Sequence, residues 1–554
     1  MSMKTEVKEQ AFETPRTGFN WLIPLYVVGA AFVVLFLVIP LGKVLMETLG
    51  LLTGSESLPV DLLQYMMRIT WNSVRLALLT TFFSLAIAIP AAVAINKLRV
   101  PLGKGWTVLL TVPLITPPFI SSFATILLLG RTGVLTRLLT MLGFPRFSIY
   151  GLPGLVITQI LHLMPYSLLV ILAGLEQVPA HLEEAAHSLG ESFWGTMGKI
   201  VLPYIFPHIL MGGTLVFLTS LGDIGAPLLI GGNYRVLPVE IYTNFVSFLG
   251  DDRIPIVFSA WIILIACLMM FVVNWLLKRT AIKHSFRAKA ITYDLPRVRR
   301  AATVFLTVVT ILFLLPYVTI VISSFGTVWT TKWLPNAFTL NNYKTVFSDS
   351  VAIRNSLILM AGALPFTLFL AVMLGQMNRD VPKMRWFDFI TMLPFIIPGV
   401  VIGLSITRAW GAVKIGGFDL GATVGVLLIA ISIRRLPHAV RVLSAGFARI
   451  DKSLEEASWS LGASRSTAFK DIILPQLRPT ITAAGVILSI KLITELGASL
   501  ILYPPGWRTI PIYIYYYVSE GQIARGSAMG IILILIVAVG NAISNRLSKE
   551  RGGI

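Results

Sequence analysis

The sequence predicts an all-α polytopic membrane protein with about twelve transmembrane helices, arranged as a tandem duplication of a six-helix unit. Only 13% of its 554 residues are charged and 56% are hydrophobic, whereas a soluble domain carries roughly 25% charged residues. Apolar runs of about 20 residues recur, which is long enough to cross the hydrocarbon core as helices. The alternation of polar and apolar residues that marks a transmembrane barrel is missing.

The candidate spans fall into two groups of six. The first group is expected near 21–42, 73–95, 106–130, 152–175, 204–222 and 255–277. The second group is expected near 301–324, 355–377, 386–409, 420–446, 478–497 and 525–545. The polar stretch 1–20 lacks the layout and small-residue cleavage site of a removed signal peptide, so we expect the first span to be retained.

Orientation follows from the distribution of Lys and Arg. The formal net charge of +19 would by itself also suit a protein that binds nucleic acid or other anions. With the N-terminus in the cytoplasm, the cytoplasmic segments hold 27 Lys and Arg and the outer segments hold 13. This is the bias of the positive-inside rule. It predicts cytoplasmic N- and C-termini and explains the net charge without a nucleic-acid partner.

A polar phrase inside this apolar chain is present twice. Residues 183–203 and 455–475 agree at ten of 21 positions, at a separation of 272 residues. At the same separation Asp223 aligns with Glu495, so the repeat extends beyond the phrase. The predicted segments are a cytoplasmic tail at 1–20, a first half at 21–277 with a loop at 182–203, a basic cytoplasmic linker at 278–300, a second half at 301–546 with a loop at 454–475, and a cytoplasmic tail at 547–554.

Each copy of the phrase is predicted to form a short helix, a turn and a second short helix. Paired glutamates at 183–184 and 455–456 stand near the start of the first helix, where the helix dipole favours acidic side chains. Gly190 and Gly462 are typical of the turn that ends such a helix. Because the charge distribution places both copies in the cytoplasm, we expect two small polar projections that another protein could bind.

These two loops resemble the coupling loop of ABC importer permeases. The pattern is Glu-Ala-Ala, a Gly four residues after the last Ala, and then Ile-x-Leu-Pro. The first copy has it at Glu184, Ala185, Ala186, Gly190, Ile200, Leu202 and Pro203, and the second at Glu456, Ala457, Gly462, Ile472, Leu474 and Pro475. The second copy departs from the pattern at Ser458. The resemblance covers nearly the whole chain, because predicted spans flank each loop in the family's order.

The resemblance implies a fused two-half permease of a bacterial inner membrane, which would work with two copies of an ABC ATPase subunit and an extracytoplasmic substrate-binding protein. The ATPase-coupling residues that it implies are Glu183, Glu184, Ala185, Ala186, Gly190, Glu455, Glu456, Ala457 and Gly462. The chain has no G-x-x-x-x-G-K-[ST] phosphate loop. We therefore expect a transport subunit that is not an enzyme and holds no cofactor, with ATP and Mg used by the partner ATPase.

Five ionisable residues are candidates for the solute pathway or its gate, because charged groups inside spans are costly and often functional. They are Asp223, Glu495, His162, Arg434 and Lys491. Lys491 stands one helical turn before Glu495 and could pair with it. The alternative is structural, with the acids ordering outer loops and Arg434 pairing with a neighbouring helix. The scattered histidines and the single Cys267 predict neither a metal site nor a disulfide.

The solute is narrowed only by resemblance. Fused permeases of this length look most like the ferric-iron importer permeases, so ferric iron is the first expectation, with 2-aminoethylphosphonate, thiamine or polyamine as alternatives. A secondary transporter driven by an ion gradient would also suit internal duplication and intramembrane charges, but it leaves the repeated loops unexplained. A membrane-embedded enzyme is disfavoured, since the chain has neither H-E-x-x-H nor G-x-S-x-G.

Overall fold

The computed structural model is almost entirely helical. It describes residues 21–53, 59–116, 118–131, 133–145, 148–247, 250–280, 291–327, 335–381, 384, 386–415, 418–419, 421 and 423–549. The predicted tail 1–20, residues 281–290 of the predicted linker and residues 550–554 lie outside that part of the chain. Lys414–Ile415 (β1) and Phe418–Asp419 (β2) form a small antiparallel hairpin.

The first half is built from helices that begin at Leu22. They are α1 Leu22–Val33, α2 Ile39–Thr53, α3 Val60–Lys97, α4 Gly105–Thr111, α5 Pro118–Leu129, α6 Val134–Met141, α7 Leu152–Leu175, α8 Ala180–Ser188, α9 Phe193–Thr196, α10 Leu202–Leu221, α11 Gly225–Ile230, α12 Leu237–Val246 and α13 Arg253–Thr280. Two π-helical segments, Val34–Val38 and Met197–Val201, join α1 to α2 and α9 to α10. A 3-10 turn, Val112–Ile115, follows α4.

The second half repeats this series from Pro296 onward. Its helices are α14 Pro296–Ser324, α15 Asn341–Ser348, α16 Val351–Asp380, α17 Trp386–Ile396, α18 Gly399–Trp410, α19 Val424–Phe447, α20 Lys452–Ser460, α21 Arg465–Ala468, α22 Leu474–Ile493, α23 Gly497–Leu502, α24 Ile510–Ser519 and α25 Ile523–Lys549. A π-helical segment, Phe469–Ile473, again joins the short helix α21 to the long helix α22.

Within the described residues, ten helices are long and apolar enough to cross a membrane, and a bent pair raises the number to eleven. The expected twelfth span is α19, which has 24 residues but carries three arginines, at 434, 435 and 441. The bent pair is α17 with α18, which meet at 110°. The predicted third span is interrupted at the equivalent place between α4 and α5, so each half contains a broken helix.

Several predicted spans extend further than their apolar runs. The first continues through α2 to Thr53, the second begins at Val60 rather than near 73, and the fifth begins at Phe193, inside the repeated phrase. These differences have one physical reason: polar residues at the ends of a membrane helix remain helical outside the hydrocarbon region, where hydropathy no longer reports them.

The tandem duplication is confirmed by the helix boundaries themselves. Each of the helices α7 to α11 has a counterpart among α19 to α23 whose first and last residues lie 272 positions later. Internal prolines repeat in the same way, with Pro165 matched by Pro437 and Pro207 by Pro479. Because proline bends a helix, matched prolines give the two halves matched bends.

The first helix of each half packs against the other half. α1 lies on α16 and α2 lies on α18, while α14 packs against α5 of the first half as well as α25 of its own. One buried apolar cluster accordingly contains residues of both halves, from Leu22 to Val537. The halves therefore share a core and enclose a cavity between them.

Candidate functional site

The two repeated loops have the same backbone geometry. α8 and α20 are nine-residue helices, and each is followed by a glycine with positive φ, +81° at Gly190 and +87° at Gly462. A side chain would be strained in that left-handed conformation, although an added Cβ would meet no atom within 4 Å at either position. Ser192 and Ser464 then cap α9 and α21 by accepting a backbone N–H bond.

The first glutamate of loop 182–203 is buried and held by a residue of the first half and a residue of the linker. Glu183 Oε1 accepts from Lys97 Nζ at 2.5 Å, and neither side chain is exposed. Glu183 Oε2 accepts from the Tyr293 hydroxyl at 2.9 Å. Burial, together with this carboxylate, raises the pKa of the Tyr293 phenol, so the hydroxyl keeps its proton. Lys97 ends α3 and Tyr293 precedes α14, so the loop is anchored at two places.

Loop 454–475 is held by an analogous ion pair. Glu455 pairs with Arg379, at the end of α16, and both side chains are largely buried. Beside this pair, the Tyr26 hydroxyl on α1 donates to Asp380 Oδ2 at 2.7 Å, and the Trp21 ring lies 6.3 Å from that of Phe469. Loop 182–203 is therefore attached to the segment that leads into α14. Loop 454–475 is attached to Trp21, at the start of α1.

The other predicted coupling residues are mostly exposed. We define the first tip as Glu184, Ala185, Leu189 and Gly190, and the second tip as Glu456, Ala457, Leu461 and Gly462, all of which are exposed. Leu189 is 85% exposed and Leu461 is 89% exposed. Ala186, like Glu183 and Glu455, faces the interior. The structure thus divides the predicted set into buried anchors and two exposed tips that each present a leucine.

All five predicted pathway residues line one cavity of about 370 Å³ between the halves. Asp223 and His162 come from the first half, and Glu495, Arg434 and Lys491 come from the second. These residues come together because α7 packs against α10 in the first half, and the duplicate helices α19 and α22 pack against each other in the same way. Sequence reasoning missed Arg435, His438 and Arg441 as lining residues. The signal that could have found them is their regular spacing of three residues along one helix.

Glu495 is bound by two arginines of α19. Its Oε1 accepts from Arg434 Nε at 3.1 Å, and its other oxygen pairs with Arg435. Glu495 Oε1 also accepts from the backbone N–H of Ala498 at 3.2 Å, which orders the start of α23. Arg434 further donates to the Ile397 carbonyl at 2.7 Å, at the break between α17 and α18.

Asp223 has neutral partners instead. Its Oδ2 accepts from Gln159 Nε2 at 3.2 Å and its Oδ1 from the backbone N–H of Gly225 at 2.9 Å. Gln159 Oε1 in turn accepts from the Thr80 and Ser220 hydroxyls at 2.9 and 2.6 Å. Asp223 and Glu495 therefore both order a short helix, α11 or α23, and both also face the cavity.

The pairing suggested for Lys491 with Glu495 is not formed. α22 ends at Ile493, so Glu495 leaves the helical register that would bring the two side chains together. Lys491 Nζ lies instead 6.0 Å from the centre of the Tyr166 ring, across the cavity. His162 Nδ1 is 3.3 Å from the Ser121 hydroxyl. In the described part of the chain, no three His, Cys, Asp or Glu side chains could hold a metal ion.

Comparison with known proteins relates the chain to transport proteins. The family model for the binding-protein-dependent transport system inner membrane component matches residues 78–281 and 363–550. The ferric transport system permease protein FbpB of Actinobacillus pleuropneumoniae is 28% identical, over 85% of this chain and 70% of that protein. The probable ABC transporter permease protein y4fN of Sinorhizobium fredii is 26% identical, over 87% and 88%.

A shorter relative matches a little under half of the chain. The putative 2-aminoethylphosphonate transport system permease protein PhnV of Salmonella typhimurium is 32% identical, over 46% of this chain and 97% of that protein. A solved chain from a bacterial ABC transporter that imports the acidic polysaccharide alginate covers 45% of this chain and 95% of its own length. Its TM-score is 0.37 and its identity 21%.

Proposed function

This chain belongs to the family of binding-protein-dependent transport system inner membrane components, as a fused ABC importer permease with two halves, and we propose that its central cavity is part of the pathway of a small solute delivered by an external binding protein. The cavity supports this, because residues of both halves line it. A pathway between two duplicated halves can open to either side when the halves rock against each other.

We further propose that each tip binds a separate ATPase subunit, so that two copies of that subunit attach to one chain. The observation that supports this is the pair of exposed leucines, Leu189 and Leu461, at equivalent positions of the two halves. Burying a leucine in a partner contributes about 2 kcal/mol. ATP and Mg would be used by those partners, with no cofactor and no catalysis in this chain.

The orientation proposed for the chain follows from its charge distribution. Both tips, both termini and the linker would lie in the cytoplasm of a bacterial cell, since the segments on that side hold most of the Lys and Arg. The solute would arrive from the opposite side of the inner membrane.

Ferric iron is the first candidate solute, because the relative named for ferric transport matches most of the chain. 2-Aminoethylphosphonate is the second candidate. A relative named for its transport matches 46% of the chain, and the arginines of the cavity suit a phosphonate group.

The coupling proposal is tested by making both tips acidic. In proteoliposomes that contain the chain and its ATPase, with the binding protein supplied outside, the double variant Leu189→Glu/Leu461→Glu is expected to lower ATP-driven uptake at least tenfold. Leu142→Glu changes a leucine that is also exposed but far from the tips, and should transport normally. Undiminished uptake by the double variant would contradict the proposal, and uptake by the chain alone without ATP would favour a secondary transporter.

A further inference from the structure

One wall of the central cavity carries a concentration of positive charge. Arg434, Arg435 and Arg441 on α19 and Lys491 on α22 all line it. The carboxylates that line it are Asp223 and Glu495. Four cations face two carboxylates, so the lining has a formal excess of two positive charges. We call Arg434, Arg435, His438, Arg441 and Lys491 the cationic wall.

The duplication provides a comparison within the molecule. The equivalent positions of the first half, 272 residues earlier, hold His162, Leu163, Tyr166, Leu169 and Thr219. None of these side chains carries a fixed charge, yet α7 and α10 have the same lengths as α19 and α22. Helices of the same lengths therefore form without these cations, so the cationic wall is not needed for helix formation.

The positive charge is only partly compensated within the protein. Glu495 pairs with Arg434 and Arg435. Arg441 and Lys491 have no carboxylate within ion-pair distance among the residues that the structure describes. Arg441 lies 6.0 Å from the centre of the Phe395 ring, and Lys491 lies equally far from that of Tyr166. Arg441 is exposed, whereas Lys491 is partly buried. An unpaired, partly buried cation such as Lys491 is costly inside a membrane protein, which points to a ligand.

His438 strengthens this conclusion. It lies among all four cations, each of which acts on it electrostatically. Its Nδ1 and the Arg435 Nε are buried, and neither finds a hydrogen-bond partner within the described part of the chain. Buried polar atoms are normally satisfied, so this region offers unused hydrogen-bonding capacity beside surplus positive charge. Both features favour an anionic group with several oxygen acceptors.

We propose that the cationic wall binds an oxyanion group of the cargo, so that the solute crosses the cavity as a net anion; this deepens the pathway function proposed above and rests on it. Arginine presents paired N–H donors that match phosphonate, phosphate or carboxylate oxygens. The oxyanion could belong to the solute itself, as in a phosphonate. It could equally belong to ligands that surround a ferric ion. A bare ferric cation is repelled by the wall.

Binding to the full chain in lipid nanodiscs tests the proposal. Radiolabelled 2-aminoethylphosphonate, inorganic phosphate and ferric citrate are the anionic probes, and spermidine is the cationic probe. The double variant Arg441→Leu/Lys491→Thr introduces the residue types found at the equivalent positions of the first half. We expect it to weaken binding of an anionic probe at least tenfold. Lys344→Thr makes the same change on α15, outside the cavity, and should bind normally.

The outcomes separate the possible sources of the oxyanion. Binding of 2-aminoethylphosphonate alone identifies the solute itself, and binding of ferric citrate alone identifies an enclosed metal ion. The proposal is overturned if no anionic probe binds up to millimolar concentration, if the double variant binds as well as the parent chain, or if spermidine binds more tightly than the anions. ATP-driven uptake of spermidine would overturn this proposal while leaving the importer function intact.

Discussion

Glu183 and Glu184 are neighbours in the sequence, but the fold gives them opposite environments. Glu183 lies inside, bound to Lys97 and Tyr293, whereas Glu184 is exposed on the first tip. The same division recurs at 455 and 456. An uncompensated buried charge costs far more than an exposed one, so the two acids have separate roles. The first carboxylate anchors the loop, and the second is free to contact a partner.

Removing the anchor should therefore destabilise the chain. Glu183→Ala leaves Lys97 buried without a carboxylate, and we expect a loss of about 3–5 kcal/mol, measured as the shift of thermal unfolding in detergent. Glu184→Ala is the matched control and should change stability by less than about 0.5 kcal/mol. If the two variants unfolded at the same temperature, the anchoring role would be wrong.

Among the helices, the break between α17 and α18 depends on a side chain from α19. Pro398 follows the break, and the N–H of Val401 bonds to the Pro398 carbonyl, so the Ile397 carbonyl loses its regular helical donor. Arg434 supplies a donor at 2.7 Å. The same arginine binds Glu495, which orders α23. Arg434 thereby connects the broken helix, the cavity and the short helix α23.

Hydrogen exchange can test this connection. Arg434→Met should leave the Ile397 carbonyl without that donor, which costs about 1–3 kcal/mol for a buried group. We expect amide exchange in 397–402 to accelerate at least tenfold. His162→Leu, at the equivalent position of the first half, should leave exchange in that segment unchanged. Equal effects of the two variants, or no effect of Arg434→Met, would contradict the assignment.

At the scale of the whole molecule, the two halves are joined by more than their linker. α1 and α2 pack on the second half, and α14 packs on the first. Tyr293 lies just before α14, and its hydroxyl donates a hydrogen bond to Glu183. Its backbone N–H also donates to the Lys97 carbonyl, at the end of α3, at 2.7 Å. A large shared apolar core means that the covalent connection between the halves adds little to their association.

A chain split within the linker should consequently still assemble. Coexpressed as residues 1–284 and 285–554, the two pieces are expected to copurify and to retain ATP-driven uptake when reconstituted with the partners. Deleting residues 1–53 from the first piece removes α1 and α2 and should abolish or strongly weaken copurification. If the intact pieces failed to associate, the linker would hold the halves together, rather than the packing of α1, α2 and α14 on the opposite half.

The sequence by itself determined the membrane class, the duplication, the two loops and five ionisable residues that line the central cavity. Hydropathy, repeat spacing and charge are local properties of the chain, so they can be read without coordinates. The same argument also predicted α19, a 24-residue helix that carries three arginines. It did not predict that Glu183 and Ala186 are buried, because their burial depends on residues outside the loop.

Only the tertiary structure decided which charges meet. Lys491 and Glu495 are close in sequence but do not pair, whereas Glu495 pairs with arginines some 61 positions away. Lys97, Tyr293 and Glu183 come from three distant segments. Such pairs depend on how helices pack against one another, and the separation of the paired residues along the chain follows no helical period. The cationic wall likewise depends on packing, which places Lys491 of α22 beside the arginines of α19.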